Sequence, residues 1–193
     1  MENRIKQKKI KDNIMLPSPG TPLYNLNHEN ETIRKKTLKK WKRLNKILII
    51  PLYRIFLLPL FGFGRIFLIL YTKGRTTGKK RRTPLEYHRI DGTITVISGR
   101  GEEAGWVKNL RVNPDAVLIR YGFHRFKPEI EFVVDNEHKL QILKWYVKKH
   151  GRSAKMLFGW NPKVHNPETA DFSKLLSLII IIRFHKSISS PTS

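Results

Sequence analysis

The chain has 193 residues, 38 Lys and Arg against 15 Asp and Glu, and a net charge of +23. That length suits one sizeable core with extensions, and the charge demands polyanionic surroundings such as nucleic acid, anionic headgroups or a highly charged cofactor. The absence of cysteine excludes disulfides, thiolate metal sites and cysteine nucleophiles. The first apolar run comes only after Lys46, so no N-terminal signal peptide is expected.

Residues 1–32 mix charge with the turn-rich PSPGTP of Pro17–Pro22 and are expected as a disordered or loosely docked basic arm. From Ile33 the apolar positions Ile33, Leu38, Trp41, Leu44 and Leu48 recur at helical spacing, with Lys and Arg filling most of the remainder. This predicts a basic amphipathic helix. Such a helix either lies in an anionic membrane interface or packs on its own domain with its cations solvated. Residues 33–59 are accordingly expected as an amphipathic, hydrophobic, membrane-proximal segment. The stretch 47–72 is dense in Ile, Leu and Phe, but Arg54 and Arg65 interrupt it and Pro51 and Pro59 break helices. No uncharged run reaches the roughly 18 residues a spanning helix needs. A re-entrant or surface-lying segment fits, as does a plain buried helix and strand, with Ile66–Tyr71 the first core strand.

Six cations (Lys73, Arg75, Lys79, Lys80, Arg81, Arg82) and no acid occupy the ten residues from Lys73 to Arg82. With Gly74 and Gly78 supplying turn conformations, the stretch reads as a hairpin that holds a phosphate or as a solvated basic hairpin. Three residues between the glycines and Lys80 after Lys79 set it apart from a Walker loop. Pro84 belongs at a strand start or edge.

Short strands follow. Thr83–Ile90 and Thr93–Ser98 are predicted to pair across Asp91-Gly92, Ser98-Gly99-Arg100-Gly101 forms a loop, and a short helix over 103–111 ends at Asn113-Pro114. Ala116–Tyr121 and Phe123–Val134 predict a second hairpin around Gly122. A helix over 137–150 carries Leu140, Leu143 and Val147, with Gly151 as its C-cap, and another short helical piece carries Met156 and Phe158. Residues 161–193 are expected as a polar linker and an apolar closing segment, Leu175–Ile182 forming a buried strand or helix. Short strands that must hide their edges predict an α+β, mainly β chain with a small antiparallel barrel over 60–160.

In their order, the motifs GRTTGKKRRTPLEY, the Asp-Gly turn, VISGRG and WVKNLRVNPDAVL resemble the deazaflavin (F420)-dependent nitroreductase family over roughly Leu60–Gly159. The resemblance implies a split β-barrel of the FMN/F420-binding type, a hydride-transferring oxidoreductase, and coenzyme F420 as cofactor, with FMN the alternative. It implies that Arg75 and Arg81 hold the phosphate and acidic tail with Thr76, Thr77 and Gly78, that Pro84 packs beside the ring, that Ser98, Gly99, Arg100 and Gly101 approach ring or phosphate, and that Trp106 and Asn109 border the site. Thr76 stands where many relatives carry Lys, and the substrate-contacting tyrosines of better-known members have no clear counterpart in KKHGRSAKMLFGW.

A deazaflavin moves a hydride, so the protein's task is to hold donor and acceptor together and exclude water. Tyr87, Ser98 or solvent could supply the proton. Seven scattered histidines predict no metal site, and Ser98 lacks a His/Asp partner nearby in sequence for acyl transfer. The partners expected are a small-molecule acceptor (quinone, enoyl lipid or nitro compound) and an anionic membrane surface, with a homodimer left open and nucleic acid disfavoured because the cations concentrate on the hairpin and the arm. The expected location is cytoplasmic and peripheral at the inner face of the membrane. The competing class is a non-enzymatic basic barrel that binds FMN, F420, nucleic acid or anionic lipid, with Tyr87, His88, Tyr121, Phe123 and His124 available to stack bases.

Overall fold

The computed structural model describes residues 15–51 and 66–186, side chains of 48 and 49 excepted. The expectations for 52–65, and the first part of the expected arm, lie outside the described residues. The chain divides into two compact units: residues 39–133 with 180–193, and residues 1–38 with 134–179. Among the described residues no helix is long and apolar enough to cross a membrane.

The first unit is a barrel of two antiparallel four-stranded sheets. Strands β1 (Phe67–Lys73), β2 (Lys80–Glu86), β5 (Leu118–Tyr121) and β6 (His124–Phe126) form one sheet in the order β2-β1-β5-β6. Strands β3 (His88–Ile90), β4 (Thr93–Ser98), β7 (Pro128–Val133) and β8 (Ile180–Lys186) form the other in the order β3-β4-β8-β7. The mixed α+β class and the split barrel are therefore as expected. Two stretches read as single strands each divide between the sheets. Thr83–Ile90 breaks at Tyr87, whose N–H donates to the Ile66 carbonyl at 3.0 Å, and Phe123–Val134 breaks at Lys127. Each break lets one continuous β-rich stretch turn a barrel corner. The apolar closing stretch divides differently, as helix Ser173–Leu178 followed by β8, and β8 takes a central place between β4 and β7.

Period-2 alternation places Leu68, Leu70, Val96, Ile119, Ile182 and Phe184 in one core, each at most 1 % exposed. A 3₁₀ turn (Gly101–Glu103) leads into a helix (Gly105–Val112) that adds Val107 and Leu110, both 0 % exposed, to that core. The basic helix forms as predicted, over Glu31–Leu44, and passes into a π-helical turn at Asn45–Ile49. None of its residues is buried, and Ile33 and Leu44 are exposed.

The second unit is helical. Pro22–Leu26 is a helix with Leu23 buried, where a loosely docked arm is expected. Helix Asn136–Lys149 is N-capped by Asp135, whose carboxylate accepts from the His138 N–H at 2.6 Å. Gly151 does not cap it, which corrects the sequence reading: His150 is the C-cap, and Gly151 opens the next helix, Gly151–Phe158. The left-handed cap glycine is Gly159, at φ 86°. Trp160, 0 % exposed, stacks on His165 and Phe172 with ring centroids 5.0 and 5.6 Å away.

Candidate functional site

The glycine hairpin between β1 and β2 is a closed loop. The Gly74 N–H donates to the Lys79 carbonyl at 2.9 Å and the Gly78 N–H to the Gly74 carbonyl at 2.8 Å, while Gly78 takes φ +64°. At Gly74 a side chain would stand 3.2 Å from both the Lys79 carbonyl and the Thr77 hydroxyl and 3.4 Å from Arg81 Nε. A side chain there would press on the Lys79 carbonyl and require Thr77 and Arg81 to shift by a few tenths of an ångström. Arg81 donates to the Thr77 hydroxyl at 3.3 Å, and Arg75, Thr76, Thr77, Gly78 and Arg81 are all exposed.

What fixes this loop comes from the helix Gly105–Val112. Asn109, 8 % exposed, accepts through Oδ1 from the Arg75 N–H at 3.2 Å and from its guanidinium at 3.5 Å. Its Nδ2 donates to the buried Thr72 hydroxyl at 3.3 Å, and Asn113 Nδ2 donates to the Lys73 carbonyl at 3.5 Å. Asn109 therefore spends its amide on the protein, orienting Arg75 instead of facing a ligand. Thr72 and Asn113 were not legible as site residues, because nothing in a strand threonine or a helix-ending asparagine reveals its tertiary partner.

Ser98, 3 % exposed, ends β4 and donates to the Gly101 carbonyl at 3.2 Å, which shapes the turn through Gly99 and Arg100 into the helix that carries Trp106 and Asn109. Trp106 is half-buried against the barrel core. Tyr87 is not brought to the hairpin. It is 6 % exposed, sits beyond the other end of β2, and has its ring centroid 5.8 Å from that of Tyr121. Pro84 pairs with Ile69 in the middle of β1, so strand alternation places it and Arg81 on opposite faces of the sheet.

The electrostatics favour an anion. Glu102 and Glu103, on the turn before the helix that carries Asn109, are held by Arg111 and, at 2.9 Å, by Lys108. Hydrogen bonding from Arg111 keeps the Glu102 carboxyl below its ordinary range. The charge of these two acids is thereby spent beside their own helix and not on the hairpin cations. Six Lys and Arg around two glycines, with Arg75 oriented from behind, form a donor set suited to a phosphodiester and a chain of carboxylates. Coenzyme F420 carries both groups, and the residues fit it.

Residues 62–148 match the family described as F420H(2)-dependent quinone reductase. No curated protein matches the chain. Solved structures similar to it include an F420-H2 dependent reductase, FDR-A (19% identity, 63% of this chain and 95% of that chain, TM-score 0.43). Others are a conserved hypothetical protein of Mycobacterium tuberculosis (19%, 67% and 78%, 0.42) and Campylobacter jejuni ChuZ (15%, 86% and 64%, 0.44). The family match bears out the oxidoreductase class and coenzyme F420.

Proposed function

From the premise that residues 62–148 carry a domain of the F420H(2)-dependent quinone reductase family, we propose that this chain binds reduced F420 on the glycine hairpin and reduces a quinone-like acceptor at an anionic membrane surface. The observation that carries this reading is the hairpin itself, a closed, acid-free cationic loop clamped by Asn109. Bound there, reduced F420 would supply a hydride from C5 of its deazaflavin, and the acceptor would take up one proton besides. Arg75 and Arg81 hold the phosphate and the acidic tail. The Ser98–Gly101 turn and Trp106 close the site against water, and Pro84, on the other face of the sheet from Arg81, takes no part. Ser98 acts by shaping its turn. Tyr87, packed in the core, is no proton donor in this scheme, so solvent supplies the proton. The amphipathic helix Glu31–Leu44, with exposed Ile33 and Leu44 and its row of cations, supports placement beside a membrane-dissolved acceptor.

The test is a fluorescence titration of the purified protein with F420, FMN and single-stranded DNA in parallel. F420 should bind, and Arg75→Ala or Arg81→Ala should weaken it by about 1.5–3 kcal/mol, the range for a hydrogen bond to a charged group. Deuterium placed at C5 should slow the reduction of a quinone, whose new O–D exchanges with water, and should be retained on carbon where an enoyl lipid is the acceptor; NADPH should not substitute. Tight FMN binding without F420 binding would overturn the cofactor assignment for this chain. If F420 binds yet no quinone, nitroaromatic or enoyl lipid is reduced, the chain carries the cofactor without turning it over.

A further inference from the structure

The barrel end opposite the glycine hairpin holds a cavity of about 440 Å³, a size within the range of small-molecule sites. Its wall includes Tyr121, which pairs with Leu68 at the start of β1, whereas the hairpin begins at Lys73, roughly 17 Å further along that strand. The floor is apolar: Ile94, Tyr121 and Phe184 belong to the buried core and Phe126 packs against it. The mouth is cationic, and strand register shows how. Ile94 and Phe184 stand opposite each other on the core face; Arg89 of β3 is opposite Ile94, and Lys186 lies two residues beyond Phe184 on β8. Alternation thus puts both cations in core-facing positions at the open end of the barrel. Both are exposed, and no carboxylate of the described residues pairs with either. The Arg89 guanidinium lies 5.2 Å from the Tyr121 ring centroid. That contact holds the cation over the floor without supplying an acceptor for its N–H donors. Glu129 and His185 also line the mouth but stand one residue out of this register, so alternation turns them to the outer face, where His185 meets Glu131 at 2.6 Å.

We propose that this cavity is a second small-molecule site, separate from the hairpin, for a ligand with an anionic head on an apolar body. Arg89 and Lys186 hold the head, a carboxylate or a phosphate monoester, at the mouth, and the body lies on Tyr121, Phe126 and Phe184. Charge decides the class of ligand. Two cations stand over an apolar floor with the carboxylates of β7 turned outward, so an anion gains charge-assisted hydrogen bonds that a neutral molecule of the same shape cannot make. The site does not depend on the F420 reading, since it uses none of the hairpin residues.

Calorimetric titration of the full-length protein with decanoate, decyl phosphate and decanol, at one ionic strength, tests this. At least one of the two anions should bind once per chain, and decanol should bind about tenfold more weakly or not at all. Arg89→Gln/Lys186→Gln should weaken the anion about tenfold or more, the loss expected for a hydrogen bond to a charged group. Arg152→Gln/Lys155→Gln removes the same charge from exposed positions of the helix Gly151–Phe158 and should leave binding unchanged. A rise in the parent's melting temperature with the anion, absent with decanol, gives the same reading without any variant. The proposal is overturned if neither anion binds, if decanol binds as tightly, or if both double variants weaken the anion equally, which would reduce the effect to overall charge. It is also overturned if F420 displaces the anion and binds the Arg89→Gln/Lys186→Gln protein more weakly than the parent, because the cavity would then belong to the cofactor. A protein that takes decanoate but no F420 would sink the cofactor assignment and leave this site standing.

Discussion

Asn109 does more for the hairpin than its exposed cations can do for themselves. Its one amide fixes the Arg75 backbone, touches the Arg75 guanidinium and reaches the Thr72 hydroxyl. Asn109→Ala should leave the Arg75 N–H without this partner, cost about 1–3 kcal/mol of stability, and weaken F420 by more than tenfold. Thermal melting beside cofactor titration separates the two effects, and intact F420 affinity would show that the loop holds its shape unaided. Glu86 offers a second measurable effect. Burial raises its pKa, and His88, 3.6 Å away, does not reverse the shift. Below the ordinary value of 4.5 both folded and unfolded chains hold the proton, so no penalty arises. As pH rises through the folded value, the carboxylate must ionise while buried and stability is lost. Glu86→Gln should therefore melt higher than the parent at neutral pH, and the gain should vanish in acid. A gain that persists in acid would point to packing instead of ionisation.

Among the elements, Gly159 is the most constrained cap. Its φ of 86° is left-handed, and an added Cβ would come within 2.6 Å of the Ser18 Cβ. Gly159→Ala should thus destabilise the helical unit by about 1 kcal/mol from backbone strain alone, and by more once Ser18 is displaced, as a denaturant titration would record. The sequence pointed to Gly151 as a cap and missed this one, since glycines eight residues apart look alike until the helix between them is known. Local signals were otherwise good guides. The Asp91-Gly92 turn, the basic helix, the hairpin glycines and the 137–150 periodicity all fold where their chemistry placed them. What sequence could not show was where a continuous β-rich stretch changes sheet, because Tyr87 and Lys127 are unremarkable as letters and matter only through the corner they turn. The same blindness hid the cations around Tyr71, since Arg82 and Arg125 lie far apart in the chain and come to one ring only in the folded sheet.

At the scale of the whole molecule, a charge of +23 makes every anionic ligand a competitor for every other. F420 affinity should fall steeply as sodium chloride is raised, whereas a binding mode dominated by ring contacts would be nearly insensitive to it, and titration at several salt concentrations decides between them.

Strands β7 and β8 are antiparallel neighbours, with Val133 opposite Ile181, so they form a β-hairpin whose turn is residues 134–179. In polymer terms a loop of that length costs only about 2 kcal/mol more to close than a loop a tenth as long, because the cost grows with the logarithm of length. The barrel is therefore tolerant of what it carries at that corner. Joining Val133 to Ile181 through a two-residue Asn-Gly turn, which keeps their register, should give a smaller protein with the sheet order, the core and the glycine hairpin intact. Circular dichroism and F420 titration would show whether it folds and binds. The corner would then be an insertion point, where a helical unit has been accommodated by a fold that needs only a turn.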